Sequence, residues 1–285
     1  MTSQKSRIGF VYNALVPRAT DLVASIIDSL GLADSAWSSA ADAVAERERE
    51  LSETSTLITA GGDGTILRTV RVTAAHDLPI LSINLGKVGF MSELEVDVAE
   101  AGIARYLSGQ AESAWIDNRM MVRAAIKLAS GEPVPEADAL NEVVLSRGQS
   151  AKLLHVEAGI DGAALTTYRA DGVLVSTATG STGYAMAAGG PLINPRSEDM
   201  LLLPVAPHMC LDTGLVLPGD TVVDLTIGNE ADTLLSVDGD PVARLSPGDT
   251  VTIARSPYRA RFVRLRPAGD FYATLTRRLG ILDRA

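Results

Sequence analysis

The sequence predicts an α/β N-terminal domain built on a parallel sheet, followed by a mostly antiparallel, β-rich C-terminal domain. Three observations carry this. Up to about Gly109, short apolar runs alternate with segments of helical periodicity. Beyond Trp115 the chain turns to many short β-type runs separated by Pro and Gly. Within the first part stands the glycine-rich turn Ala60-Gly61-Gly62-Asp63-Gly64-Thr65, directly behind an apolar run.

Taken in order, Ile8-Gly9-Phe10-Val11-Tyr12 reads as a buried strand. Leu22, Val23, Ile26, Ile27 and Leu30 then recur at helical spacing behind the possible cap Thr20. The charged stretch Ala41 to Leu51 is helical by propensity, Thr56 to Ala60 is the next strand, and Thr65 to His76 carries Ile66, Leu67, Val70 and Val72 on a helix. Pro79 to Asn84 follows as another strand. Such alternation places ligands at the carboxyl ends of the strands, where the Gly61 to Thr65 turn lies. In the second part the expected strands are Met120 to Leu128, Leu153 to Ile160, Val173 to Ser176, Leu201 to Val205, Thr221 to Ile227, Leu234 to Val237 and Val251 to Ala254. Leu217-Pro218-Gly219-Asp220 and Ser246-Pro247-Gly248-Asp249 supply turn signals. From Asp270 to Leu282, Phe271, Leu275 and Leu279 return to helical spacing. The expected domains are 1–110, joined by a returning helix at 268–285, and 111–267.

Composition narrows the function. Of 285 residues 46% are hydrophobic and 21% charged, ordinary for a globular enzyme, and no apolar run approaches the about 18 residues that span a bilayer. The first residues lead into a strand rather than a signal-peptide core, so a cytoplasmic protein without a membrane partner is expected. A single cysteine, Cys210, excludes an intrachain disulfide, and three scattered histidines argue against a histidine-built metal centre. Any metal is then a hard cation held by oxygen. A net charge of −10 argues against a nucleic-acid partner but leaves room for a nucleotide, which needs only local donors. His76, His155 and His208 read as structural, and Met120, Met121, Met186 and Met200 as core filler.

Two glycine-rich blocks carry the chemistry. In the first, Gly61, Gly62 and Gly64 can take positive φ and have no Cβ, so the backbone can approach a phosphate and turn N–H groups toward it. Asp63 is then an acid placed where phosphates come, suited to hold a metal ion or to take a proton from an attacking hydroxyl. The alternative is a tight turn with Asp63 as N-cap of the next helix. Arg68, one turn further, is a candidate for neutralising phosphate charge, or a solvated helix residue. The second block runs from Asp171 to Tyr184 and on to Gly189-Gly190-Pro191. Five hydroxyl residues and a glycine close a strand and open a short helix, which suits ribose or phosphate recognition or a Ser/Thr-rich cap.

Gly-Gly-Asp-Gly-Thr (61 to 65), Asn84-Leu85-Gly86-Lys87-Val88-Gly89-Phe90, Asn141-Glu142, Asp171 to Tyr184, Gly189-Gly190-Pro191, Ala206-Pro207-His208 and Val237-Asp238-Gly239 follow in an order and spacing that resembles the NAD kinase family. The tail Tyr272-Ala273-Thr274-Leu275 through Arg278-Leu279-Gly280 resembles that family's closing helix. Gly-Gly-Asp-Gly-Thr alone is shared with lipid kinases, and the architecture implied is that of NAD and diacylglycerol kinases. The resemblance implies transfer of the terminal phosphate of ATP, or of polyphosphate, to the 2′-hydroxyl of the adenosine ribose of NAD, giving NADP. A divalent cation, usually Mg²⁺, takes part, with no protein ligand to it assigned. Asp63 would accept the hydroxyl proton.

By the same resemblance NAD contacts fall at Asp63, Gly64, Asn141, Glu142, Lys152, Arg169, Asp171, Thr182, Gly183, Tyr184, Ala185, Met186, Ala187 and Asp240, and phosphate contacts at Gly61, Gly62, Gly64, Thr65 and Arg68. A homodimer or homotetramer is implied. The chain departs from the usual pattern at Ala178 for proline, Gly183 for alanine, and Val88 and Met91 for leucines, none of which removes a functional group. A kinase of a lipid or sugar-phosphate hydroxyl, or a silent NAD-binding sensor, are the other readings.

Overall fold

The computed structural model describes residues 6–86, 89–148 and 152–278. Lys87, Val88 and the end of the expected closing helix, from Leu279 on, lie outside the described residues. The first part of the chain runs β1 (Arg7–Tyr12), α1 (Pro17–Ser29), β2 (Ala36–Ala40), α2 (Glu48–Glu53), β3 (Thr54–Gly61), α3 (Asp63–Thr73), β4 (Pro79–Asn84), β5 (Leu94–Glu95), α4 (Val96–Leu107) and β6 (Trp115–Lys127). It continues with β7 (Ala137–Ala139), β8 (Glu142–Arg147), β9 (Leu154–Ile160), β10 (Ala163–Ala170), β11 (Gly172–Thr177), α5 (Tyr184–Ala187), β12 (Met200–Val205) and β13 (Leu215–Leu217). Last come β14 (Val223–Ile227), β15 (Thr233–Val237), β16 (Asp240–Leu245), β17 (Thr250–Arg264) and α6 (Asp270–Arg278). Two units result, residues up to Asn118 with those from Ala260 onward, and Arg119–Arg259.

The first unit is the expected parallel sheet. β2, β1, β3 and β4 lie side by side in that order, and the end of β17 adds Arg261 and Phe262 in parallel beside β4. Burial explains the composition of the central strand: from Thr56 to Gly61 β3 has no exposed residue, as a parallel strand covered on both faces requires. Helices and strands close on one core that includes Phe10, Val23, Ile26, Ile58, Leu81, Ile83, Ile103 and Val263. The order reverses at β1, so the carboxyl ends of β1 and β3 flank the crevice where open α/β sheets take their ligands. The Gly61-Gly62 turn leaves β3 at that edge.

Three local expectations are corrected. Ala36–Ala40, a stretch to which the sequence reading assigns no element, is a parallel strand against β1. Ala41 to Leu51 is not one helix. It makes a 3₁₀ turn at Val44–Glu46 and enters α2 only at Glu48, because Arg47 at φ −102°, ψ 34° breaks the helical path. The third concerns β17, which runs on to Arg264, well past the expected end at Ala254.

In the second unit, β13, β12, β11, β8, β15 and β16 form one antiparallel sheet. β10, β9, β14 and the first half of β17 form a second antiparallel array, and β6 pairs with β7. Alternating residues of both, among them Val143, Leu145, Val156, Val173, Val175, Leu202, Leu225, Leu235 and Ile253, meet in a single core. No helix among the described residues is long and apolar enough to cross a membrane.

One polar cluster in the first unit stands out by burial. Glu93, with a side chain 2% exposed, accepts from Arg264 Nη1 at 3.2 Å through one oxygen. Its other oxygen takes the N–H groups of Leu265 (2.8 Å) and Arg266 (2.9 Å) and Arg266 Nε (3.4 Å). Arg264 also donates to Asp117 at 3.1 Å and to the Met91 carbonyl at 2.9 Å. Removing one partner of such a set strands a buried charge, which costs about 3–5 kcal/mol. Glu93→Ala is therefore expected to lower unfolding free energy by about that amount, measured by urea denaturation; a loss below about 1 kcal/mol would show that the cluster is solvated.

Candidate active site

The geometry around Asp63 begins with the turn that carries it. Gly62 is the N-cap of α3, at φ −99° and ψ −174°, and Asp63 is the first helical residue, so its carboxylate caps nothing. None of Gly61, Gly62 and Gly64 takes a positive φ, contrary to the expected use of glycine here. Gly61 serves by lacking a Cβ, since one there would overlap Thr65 Oγ1. Around Gly62 and Gly64 the space is open, with no atom within 4 Å of an added Cβ. Helix α3 thus starts with a bare, uncrowded turn and uncapped N–H groups at the crevice edge, an arrangement suited to an anion.

Freed from capping, the carboxylate reaches across to the segment that follows β4. Oδ2 accepts the Phe90 N–H at 3.1 Å and Arg278 Nη1 at 3.3 Å; Oδ1 accepts the Met91 N–H at 3.4 Å. The side chain stays one-quarter exposed, open enough to meet a substrate. Gly89 makes the approach possible, because a Cβ there would overlap Oδ1 and crowd Ser92 Oγ at 2.9 Å. Of the other expected phosphate residues, Thr65 is buried with its hydroxyl against Gly61. Arg68 is exposed on α3, five residues on and therefore about 140° around the helix from Asp63.

The second unit builds its own cluster. Asp238, at a left-handed φ of 48°, turns its carboxylate onto three successive N–H groups, of Leu140 (2.9 Å), Asn141 (2.7 Å) and Glu142 (3.1 Å). Its own N–H donates to the Glu142 carbonyl at 3.0 Å. This lock presents Asn141 and Glu142 at the head of β8, beside the hydroxyl-rich block. Ser176 Oγ and Thr177 Oγ1 donate to the carbonyls of Asn141 and Leu140 at 3.1 and 2.5 Å. Gly180 must be glycine, since a Cβ would overlap the Asn141 carbonyl; at Gly183 one would stand 3.2 Å from Glu142 Oε2. The hydroxyls of Ser176, Thr177 and Ser181 therefore fasten the loop to the protein and do not line an open surface.

Glu142 is the electrostatic centre of this cluster. Burial, and then the charge of Asp238, push its carboxyl up from 4.5 to about 7, against the pull of the Tyr184 N–H. Among the described residues its Oε2 has no hydrogen-bond partner. A buried carboxyl oxygen left without a donor is a costly vacancy in a hydrogen-bond network, and a hydroxyl or amino group of a ligand would fill it.

The remaining expected NAD contacts are more scattered. Ala185 is core, Tyr184 is 43% exposed, and Thr182, Gly183, Met186 and Ala187 lie along the rim of α5. Asp171 pairs with Arg147 at 3.0 Å, and Arg169 is exposed on β10 with its carbonyl taken by the His208 N–H. Lys152 is exposed before β9, and Asp240 opens β16 after the Asp238-Gly239 turn. Gly89, Phe90, Asp238 and Arg278 were not singled out as site residues from sequence. The first three sit inside motifs that could have flagged them; Arg278 had no signal beyond its place in the closing helix. Among the described residues no cluster of three His, Cys, Asp or Glu side chains could hold a metal ion.

A bare turn at a parallel-sheet crevice with a tethered, accessible carboxylate, together with a β-rich unit holding an unfilled carboxyl beside small residues, defines a nucleotide-dependent kinase. Residues 12–111 match the ATP-NAD kinase N-terminal domain and residues 140–265 the ATP-NAD kinase C-terminal domain. The NAD kinase of Dehalococcoides mccartyi is 41% identical over 276 residues, 96% of this chain and 95% of that protein. That of Chloroflexus aurantiacus is 43% identical over 223 residues, covering 78% and 79%. The chain belongs to the NAD kinase family. Its fold is that of yeast NADH kinase, solved with NADH (TM-score 0.86, 24% identity, 97% of this chain and 88% of that one). It is also that of an NAD kinase from Archaeoglobus fulgidus, solved with ATP (TM-score 0.72, 23% identity, 94% and 98%).

Two outcomes follow from the geometry. Gly89→Ala should lower kcat by about 10- to 100-fold with little change in thermal midpoint. Gly89 lies outside the left-handed region, so alanine meets no torsional strain and the loss reads its contact with Asp63. Steady-state kinetics with a melting curve checks this; an unimpaired enzyme would mean the Asp63 carboxylate is free to move. For Glu142, a raised folded-state pKa means that its favourable contribution is complete below about pH 4.5 and is lost as pH rises through about 7. Ligand-free Glu142→Gln should then match the wild type near about pH 5 and exceed it by about 1–3 kcal/mol near about pH 8, by denaturant unfolding. Equal stability at both pH values would remove the buried-carboxyl account.

Proposed function

We propose that the protein phosphorylates the 2′-hydroxyl of the adenosine ribose of NAD, giving NADP, with ATP as donor and Asp63 as proton acceptor. The observation that carries this is the Asp63 carboxylate itself, released from helix capping, held by N–H groups of the 89–91 segment and still accessible. In the transfer, the ribose oxygen forms a bond to the terminal phosphorus while the bond from that phosphorus to the bridging oxygen breaks. ADP leaves, and the hydroxyl proton passes to Asp63. A positioned carboxylate acting this way contributes about 10²- to 10⁴-fold. Alignment of the reactants and neutralisation of phosphate charge supply the rest.

The open backbone at Gly62 and Gly64 suits the triphosphate, as does the start of α3. Asn141 and the vacant Oε2 of Glu142 suit the hydroxyls and amino group of the dinucleotide, with Gly183 through Ala187 beside them. Magnesium enters as part of the substrate, MgATP: Asp63 is a lone carboxylate that already takes two N–H donors and an arginine, which fits an ion that keeps most of its ligands as phosphate and water. Polyphosphate as donor, NADH as acceptor, self-association to a dimer or tetramer and a cytoplasmic location belong to the same reading.

The test is formation of NADP from NAD and MgATP, run in parallel with NADH. Product from diacylglycerol or a sugar phosphate with no NADP would sink the reading, and tight NAD binding without turnover would make the protein a sensor. Asp63→Asn should lower kcat by about 10² or more with the melting temperature and much of the NAD affinity retained. Near-normal turnover would leave Asp63 with a structural part only.

A further inference from the structure

We propose that Arg278, in the last described turn of α6, is a positioning residue that holds the plane of the Asp63 carboxylate so that an open acceptor position of that group faces the substrate hydroxyl. The proposal rests on the reading of Asp63 as proton acceptor. Its guanidinium lies 3.3 Å from Asp63 Oδ2 and, at the same time, with its central carbon 4.2 Å from the centroid of the Phe90 ring. Phe90 thus acts twice on one atom. Its N–H donates to Oδ2 at 3.1 Å, and its ring supports the arginine that donates to Oδ2 as well.

The two carboxylate oxygens are consequently unequal. Among the described residues Oδ2 receives two donors and Oδ1 only the longer Met91 N–H at 3.4 Å. Each carboxylate oxygen has about two acceptor positions, so Oδ2 is filled and Oδ1 keeps one open. Space is kept on the same side, because Oδ1 is the atom that a Cβ at Gly89 would strike. A half-turn of the aspartate torsion exchanges two equivalent oxygens and changes nothing; what the torsion sets is the carboxylate plane, which is broad in aspartate and which two N–H groups at 3.1 and 3.4 Å hold loosely. A charged donor at one end of the group narrows the range of that plane.

The bland account is an exposed ion pair, and the side chains, 38% and 25% exposed, place it among pairs worth about 0–1 kcal/mol of stability. Such a pair adds little to folding, yet a small bias is enough to set the orientation of one torsion. Arginine suits the task better than lysine, because its planar group can rest on a ring face and donate sideways. Arg68, the other cation considered for this site, points about 140° away around α3.

The experiment compares Arg278→Ala, Arg278→Lys and Phe90→Leu in the full chain, using NAD and MgATP, with Asp63→Asn alongside. Arg278→Ala is expected to lose about tenfold in kcat, with KM for both substrates within about twofold. Guanidinium ion, well below concentrations that unfold the protein, should restore most of the loss by entering the half-exposed gap, whereas urea, of like shape and no charge, should not. Arg278→Lys should recover part of the rate, and Phe90→Leu should fall between wild type and Arg278→Ala. Wild-type kcat in Arg278→Ala overturns the proposal. So does a loss confined to KM for ATP, which would put the arginine on the phosphates, or a loss that neither guanidinium nor lysine repairs and that comes with a lower melting temperature. If Asp63→Asn turns over normally, the proton-acceptor reading fails first; if Asp63→Asn is inactive and Arg278→Ala is not, the positioning role alone is refuted.

Discussion

The backbone of Met91, held between two charges through its two flanking peptide groups, is the constraint on which the setting of the Asp63 carboxylate depends. On one side its N–H donates to Asp63, and on the other its carbonyl accepts from the buried Arg264. Arg264 is itself fixed by Glu93 and Asp117, whose side chains are almost fully covered. Desolvating such charges is expensive, and the attraction between them offsets the cost only when nearly every donor and acceptor is used. Glu93 meets that condition with four N–H donors from Arg264, Leu265 and Arg266. The price of burying the cluster is met by the precision it gives: a carboxylate that is one-quarter exposed gains a rigid set of donors although it still meets water.

Both chemical clusters are shaped as much by missing atoms as by those present. Gly89 leaves room for Asp63 Oδ1, and Gly61 leaves room for the hydroxyl of Thr65. In the second unit Gly180 admits the Asn141 carbonyl and Gly183 keeps clear of Glu142 Oε2. None of these four takes a left-handed φ. Their glycines answer a packing demand, not a torsional one, so each adds flexibility to the unfolded chain without relieving backbone strain in the folded one. The left-handed conformation appears instead at Asp238, a residue with a side chain, where it aims a carboxylate at three backbone N–H groups. Aspartate tolerates that region better than most residues, and the three bonds offset the strain.

Much of the architecture was legible because it rests on local pattern. The apolar runs at Ile8 to Tyr12, Thr56 to Ala60 and Pro79 to Asn84 are central strands, and the turn signals of the second half fall between antiparallel ones. What escaped depended on distant partners. The later half of β17 carries Arg255, Arg259, Arg261 and Arg264, an unpromising composition for a strand. In the fold those charges meet Glu198, Asp77, Glu93 and Asp117, far away in sequence. The same holds for the candidate site: Asp63 was visible, whereas its donors at Phe90 and Met91 and its arginine at Arg278 are separated from it by 27, 28 and 215 positions. Sequence pattern marks a candidate residue, and long-range topology decides how it is aimed.

The carboxylates of Asp63 and Glu142 show how environment divides labour between identical groups. Asp63 stays partly in water and is surrounded by donors. Glu142 is buried beside another carboxylate with one oxygen unfilled, so its proton is held to about pH 7. Near neutrality Glu142 is present in both forms, able to accept a hydrogen bond or to donate one. An unfilled buried acceptor raises the free energy of the empty protein, and a ligand that supplies the missing donor removes that penalty as it binds. On the proposed reading, part of the affinity for the dinucleotide is in this way stored in the unliganded fold: the Asp238 lock that holds residues 140–142 in place also sets the second negative charge beside Glu142. Geometry and electrostatic tension at this cluster therefore have one source, and a change that relaxes Asp238 would loosen both.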